Sequence, residues 1–114
     1  MRSAWTGPQM PAESFAVGPL EVRPDECQVL AGGTRADLTV REFEVFLVLA
    51  ERPDRVIPRA EVYRRVWGGV MPRRDRSVDV FVRKVRNKLE AVAPEWRFIH
   101  THFGIGYRLS PEGR

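Results

Sequence analysis

Residues 75–90 read DRSVDVFVRKVRNKLE, and they carry two opposed faces at helical spacing. Val78, Val82, Val85 and Leu89 recur at intervals of four, three and four, forming the seam of a helix laid on a core. Half a revolution away stand Arg76, Val80, Arg83, Lys84 and Asn87, with Asp79 and Arg86 on the flank. A merely solvated helix face alternates acid and base for mutual support. Here Asp79 and Glu90 oppose Arg76, Arg83, Lys84, Arg86 and Lys88, so the outward stripe suits an anionic partner.

Upstream of this stretch, Thr39 opens the most clearly signalled helix. Its hydroxyl can cap the backbone while Glu42, three residues on, reaches back, the pattern of a capping box. Phe43, Phe46, Leu47 and Ala50 give the buried stripe, and Val45, Val48 and Leu49 widen it. Pro53-Asp54 ends the helix, Val56-Ile57 is a candidate short strand, and Pro58 starts a second helix through about Trp67. Ala60, Val62, Tyr63, Val66 and Trp67 are expected on its inner side, with Arg59, Arg64 and Arg65 outward; Gly68-Gly69 stops it. Before Thr39 come four short β segments, at 15–17, 20–23, 27–30 and 35–38, punctuated by Gly18-Pro19, Pro24-Asp25 and Gly32-Gly33. They predict a small antiparallel sheet packed on helices, since strands this short do not persist alone.

Downstream, Pro94 forbids helix continuation. Residues 96–102 then read as a strand leading into Phe103-Gly104-Ile105-Gly106 and a return strand at 107–109. Two glycines in a short tip between apolar strands mark a hairpin. Helix, helix, basic amphipathic helix and hairpin make the order of a winged helix, a helix-turn-helix variant. Its third helix can enter a major groove while the hairpin reaches the neighbouring groove or backbone. The fold class is therefore α+β: an amino-terminal four-stranded antiparallel sheet, three helices and a carboxy-terminal hairpin wing. Residues 1–13 are expected to be a flexible leader, 14–110 the domain and 111–114 a tail; Trp5 in the leader has no assigned role.

Charge supports this division. From Pro11 to Glu51 eight acids face three bases, giving −5, whereas from Arg52 to Lys88 twelve bases face four acids, giving +8. A basic half backed by an acidic half fits a nucleic-acid-binding face better than diffuse polyelectrolyte behaviour. The longest apolar run is Val45 to Ala50 and the first ten residues lack a signal-peptide core, so no membrane association is expected and the cytosol is the expected location. The lone Cys27 agrees with a reducing compartment. No nucleophile–base pair, glycine-rich phosphate cradle or carboxylate dyad stands out, so an enzyme is not expected. No cofactor is expected either. His100 and His102 share a strand face at metal-ligand spacing, but a third ligand is lacking nearby, and no metal site is assigned.

The runs LTVREFEVFLVLAERPDRVIPRAEVYRRVWGG, RSVDVFVRKVRNKLE and WRFIHTHFGIGYRL together resemble the winged-helix DNA-binding effector domain of the response-regulator class typified by the outer-membrane-porin and phosphate-regulon regulators. The resemblance covers about Phe15 to Leu109. It implies a transcription regulator of double-stranded DNA, acting on direct repeats as a head-to-tail dimer. By position it implies that the loop Gly68, Gly69, Val70, Met71, Pro72, Arg73 and Arg74 touches RNA polymerase.

Asp79, Val80, Arg83, Lys84 and Arg86 fall where the family's recognition helix meets DNA, and Asp79, Val80, Arg83, Lys84 and Asn87 are the expected base-contacting set. Arg83 and Lys84 can donate to guanine or phosphate, Asp79 can accept from cytosine N4, Val80 can touch a thymine methyl and Asn87 can read adenine. Trp67, Arg76, Ser77, Arg86, Thr101 and Tyr107 match backbone-contacting positions, and His102, Phe103 and Gly104 the wing tip. Three of these have a structural alternative: Trp67 and Tyr107 as core aromatics, and Asp79 as counter-charge to nearby arginines or the helix amino terminus.

The departures from the family pattern are specific. Phe103 stands where many members put an arginine for the minor groove, and packing on sugars, wedging at a base step and contacting a partner all remain open for it. Phe81 replaces a polar residue at the border of the core seam, and Pro58 replaces a hydroxyl cap. No acidic cluster with a following α/β repeat, the mark of a phosphoacceptor receiver, precedes the sheet; the chain is expected to be either an effector domain separated from its receiver or a stand-alone regulator, and the Met1 leader favours the second. A protein-interaction module that kept the fold and lost DNA recognition is the alternative function.

Overall fold

A computed structural model describes residues 13–114; the leader, including Trp5, lies outside the described residues except for Glu13. Helix α1, Val40–Ala50, is the element around which the others pack. Its capping box forms as the sequence predicts. The Glu42 amide donates to Thr39 Oγ1 at 3.2 Å, and the Thr39 amide donates to Glu42 Oε1 at 2.8 Å. Every residue from Glu42 to Ala50 is buried, because the apolar positions run almost all round the cylinder and such a helix must be covered on every side.

The amino-terminal sheet covers one side. Strands β1 (Phe15–Val17), β2 (Leu20–Arg23), β3 (Gln28–Ala31) and β4 (Thr34–Arg35) pair antiparallel in that order. A single 3-10 turn, Pro24–Glu26, joins β2 to β3, and Cys27 closes it at φ 52°. The fourth strand is shorter than expected: Asp37 takes φ 57°, turning the chain away from the sheet, and the side chains of Ala36 and Leu38 are buried.

Two further helices and a second sheet complete the core. Helix α2 spans Arg59–Val66 and α3 spans Ser77–Val92. The seam Val78, Val82, Val85 and Leu89 is at most 1% exposed, and each such side chain contributes roughly 1.5–3 kcal/mol of burial. The start of α3 lies two residues later than the sequence suggests, because Asp75 acts outside the helix: its Oδ1 accepts the Ser77 amide at 2.7 Å. The helix persists to Val92 before Pro94 stops it.

Two sequence expectations on α2 are reversed, since Arg65 is 2% exposed and Ala60 is exposed. Burial of the Arg65 guanidinium is tolerated because carboxylates surround it. It bonds Glu51 at the end of α1, and its Nη1 lies 3.7 Å from Glu61.

A second sheet completes the molecule. Strands β5 (Val56–Pro58), β6 (Trp96–His102) and β7 (Gly106–Gly113) pair antiparallel in the order β5-β7-β6. The expected tail at 111–114 is instead strand as far as Gly113. Its Pro111 seats against the β1–β2 turn, at the place a Cβ on Gly18 would occupy. Gly106, which reads in sequence as part of the hairpin tip, is a β7 residue paired with Pro58. A Cβ there would lie 2.0 Å from the Ile57 carbonyl oxygen, so the residue must be glycine for β5 and β7 to approach.

Candidate nucleic-acid interface

The basic stripe of α3 is presented as its periodicity predicts. Arg83, Lys84 and Asn87 are exposed, and Val80 is 47% exposed. Among the described residues Arg83 and Lys84 form no ion pair; the Lys84 ammonium sits 5.1 Å above the Phe81 ring. Unpaired cations beside an apolar side chain on an outward helix face form a surface able to meet phosphate and base edges together.

Asp79 behaves differently from its neighbours. Its Oδ1 accepts Arg59 Nε at 2.7 Å and the Tyr107 hydroxyl, and its Oδ2 lies 3.1 Å from Arg76 Nη2. The carboxylate expected to face cytosine is thus turned inward, joining α2, α3 and β7 through one group. Burial pushes this carboxyl up, but the hydrogen bonds from Tyr107 and Arg59, with the charges of Arg59 and Arg76, outweigh it and hold it below the ordinary aspartate range. Burial and the bond to Asp79 push the Tyr107 phenol up. Tyr107 is 5% exposed, with the Arg59 guanidinium 5.7 Å from the centre of its ring. It follows the core reading, and its hydroxyl is committed to Asp79 rather than to the outside.

Arg86 and Thr101, both expected at the DNA backbone, are bonded to each other: Arg86 Nη2 donates to Thr101 Oγ1 at 2.8 Å and its Nε to the Ile99 carbonyl at 3.2 Å. These contacts fasten the wing to α3. Trp67 is half-buried in an aromatic stack, 5.3 Å from Tyr63 and 5.6 Å edge-on from Phe81. The Arg41 guanidinium lies 5.2 Å over its ring. Arg76 is 74% exposed, and Ser77 opens α3 beside it.

The wing itself is a three-residue turn, Phe103-Gly104-Ile105, with Gly104 at φ 78° and the Ile105 amide donating to the His102 carbonyl at 2.9 Å. Phe103 is 90% exposed and Ile105 59%. His102 accepts Arg108 Nε at 3.1 Å, while His100 Nε2 faces the Ser110 carbonyl at 2.8 Å. Among the described residues no group of three or more His, Cys, Asp or Glu side chains is arranged to hold a metal. The loop from Gly68 to Arg74 turns through positive φ at Gly68, Gly69 and Arg74, and carries Val70 at 92% exposure.

Sequence reasoning missed several positioning residues. Arg59 reads as an outward cation and is the partner of Asp79. Lys88 reads as surface, yet its Nζ reaches Glu42 Oε1 at 2.7 Å and the Asp37 carbonyl at 3.0 Å, tying α3 to the cap of α1. Neither contact has a local sequence signal, because the partners are 20 and 46 residues away.

A third helix presenting an exposed basic stripe, flanked by a hairpin and backed by a four-stranded sheet, defines a winged-helix effector domain. Residues 33–109 match the family described as "Transcriptional regulatory protein, C terminal", and the chain belongs to that family. It is 41% identical over 98 residues to the transcriptional regulatory protein PrrA of Mycobacterium leprae, covering 86% of this chain and 42% of the relative. It is 32% identical over 101 residues to the DNA-binding response regulator MtrA of Mycolicibacterium smegmatis, covering 89% of this chain and 44% of that one. The chain therefore spans less than half the length of these curated relatives. The Klebsiella pneumoniae RstA DNA-binding domain, solved in complex with the RstA box, matches with a TM-score of 0.77 at 28% identity over 86% of this chain and 97% of that one.

Proposed function

We propose that this chain is a sequence-specific double-stranded DNA-binding transcription regulator that works by binding and not by catalysis. The observation that carries this is the outward face of α3, where Val80, Arg83, Lys84 and Asn87 stand exposed, with no ion pair to Arg83 or Lys84 among the described residues, beside a wing fastened to the same helix. These four are the base-reading set. Arg76, Ser77 and the flank of Trp67 hold the phosphate backbone. Asp79, Tyr107, Arg86 and Thr101 serve as positioning residues, because their polar groups are satisfied within the protein. The exposed 68–74 loop, with Val70, Arg73 and Arg74 outward, is the surface for RNA polymerase. A head-to-tail homodimer on direct repeats, acting in the cytoplasm, completes the proposal. Among the described residues no helix is long and apolar enough to cross a membrane.

The test is selection of duplexes from a random pool, followed by a salt titration of the winner against random DNA by fluorescence anisotropy. A repeated motif should emerge, bound with a steep salt dependence and well above random duplex. Equal affinity for selected and random duplex at every salt concentration would refute sequence-specific binding.

A further inference from the structure

We infer that Phe103 is a wedge that enters the minor groove next to the α3 site and unstacks one base step, bending the duplex; this rests on the DNA-binding function proposed above. The tip is a turn of three residues, Phe103-Gly104-Ile105, with no charged or hydrogen-bonding side chain. Turns ordinarily take polar residues, whose side chains support the bend and stay hydrated. This one exposes Phe103 at 90% and Ile105 at 59%.

The apolar area of two side chains falls far short of the roughly 800 Å² per partner of a protein–protein interface, so the tip fits best as a small element of a larger contact. The basic α3 surface supplies that contact. Arg86 bonds Thr101 at 2.8 Å and the Ile99 carbonyl at 3.2 Å, which fastens the wing to α3. Phe103 also walls the same open cleft as Arg86 and Thr101. From Thr101 two residues of extended chain carry Phe103 about 7 Å beyond this anchor, a reach on the scale of the minor-groove depth of B-DNA. Behind the tip, Arg108 donates to His102 Nε2 at 3.1 Å, which sets a cation beside the apolar turn.

An apolar side chain on a projecting, cation-backed tip anchored to the recognition helix is an arrangement suited to insertion between base pairs from the minor groove. A phenyl ring cannot read the acceptors of that groove, so its selectivity is for deformability, favouring a TA or CA/TG step. Specificity at that position then arises without a base-edge hydrogen bond.

The experiment uses the full chain and the duplex it selects from a random pool, with 2-aminopurine replacing adenine at each flanking step and a donor–acceptor dye pair on the ends. Wild-type protein should raise the fluorescence of one 2-aminopurine and bend the duplex by on the order of 20–90°. Phe103→Ala should abolish both signals and weaken binding about 10-fold, while the α3-read positions of the motif stay unchanged. Phe103→Leu should retain the bend. Specific binding to a straight, fully stacked duplex, or an unchanged signal in Phe103→Ala, overturns the wedge alone. Absence of any selected motif overturns the DNA-binding proposal, and the wedge with it.

Discussion

Replacing Asp79 with alanine removes a carboxylate shared by three side chains, and its cost follows from their burial. Tyr107, 5% exposed, loses the acceptor of its hydroxyl, and a buried donor left unsatisfied costs about 1–3 kcal/mol. Arg59 loses a charge-assisted bond of 2.7 Å, but its side chain is 29% exposed. Water compensates part of that loss, so about 1 kcal/mol remains. Arg76 is 74% exposed and adds a few tenths of a kcal/mol at most. The expected destabilisation is about 2–4 kcal/mol, or a fall in Tm of roughly 8–16 °C for a chain of this size.

Urea denaturation followed by tryptophan fluorescence measures the first effect, and duplex selection by the folded variant measures the second. A positioning role predicts weaker binding to all sequences with an unchanged motif. A base-reading role predicts wild-type stability and a relaxed preference at one base pair. The second result would refute the assignment of Asp79 to the α2–α3–β7 joint. A Tyr107→Phe background sharpens the test, since part of the Asp79→Ala penalty should vanish there if the two groups are coupled.

The remaining predictions concern charge and close packing. Lys84→Ala should relax base preference at one position, whereas Arg76→Ala should weaken all duplexes alike and lower the salt slope by about one; equal loss on every sequence for Lys84→Ala would make it a phosphate contact. Glu42 and Asp79 are held below their ordinary range in the fold. At Glu42 burial pushes up but the Lys88 and Thr39 bonds prevail; at Asp79 burial is likewise outweighed by Tyr107, Arg59 and Arg76. Their stabilisation is complete above the ordinary carboxylate pKa and lost as pH falls through the lowered folded values. Stability measured from pH 7 down to pH 3 should therefore decline, and Lys88→Met should flatten that decline.

Glu44 has the opposite sign. Burial pushes it up, with Arg41 only partly opposing, so its ionised form is disfavoured in the fold and the associated stability falls as pH rises through the carboxylate range. Glu44→Gln should thus raise stability at pH 7, with the gain shrinking as pH falls through the carboxylate range; denaturation midpoints at pH 7 and pH 4 check it. Gly106→Ala should cost about 3 kcal/mol or more and detach β5 from β7, because the obstruction is the Ile57 carbonyl backbone. Retained wild-type Tm would contradict the close approach.

What the sequence determined by itself is the set of elements whose signals are local. The Thr39–Glu42 capping box, the 78–82–85–89 seam, the glycine-marked hairpin and the exposed Arg83–Lys84 stripe each follow from residues within one or two helical turns, where periodicity and capping chemistry act directly. Tertiary structure decided which charged groups remain available to a partner. Asp79, Arg59 and Tyr107 come from three elements, Lys88 of α3 meets Glu42 of α1 and the Asp37 carbonyl of the segment before it, and Arg65 is buried only because Glu51 and Glu61 meet it. A charged side chain reads as outward in sequence because desolvation is costly. It turns inward when folding supplies an opposite charge from a distant element, and helical spacing carries no record of that partner. The helix at 75–90 was therefore legible as a basic face, while the division of that face into Val80, Arg83, Lys84 and Asn87 outward and Asp79 and Arg86 inward belongs to the packing of α2 and the wing against it.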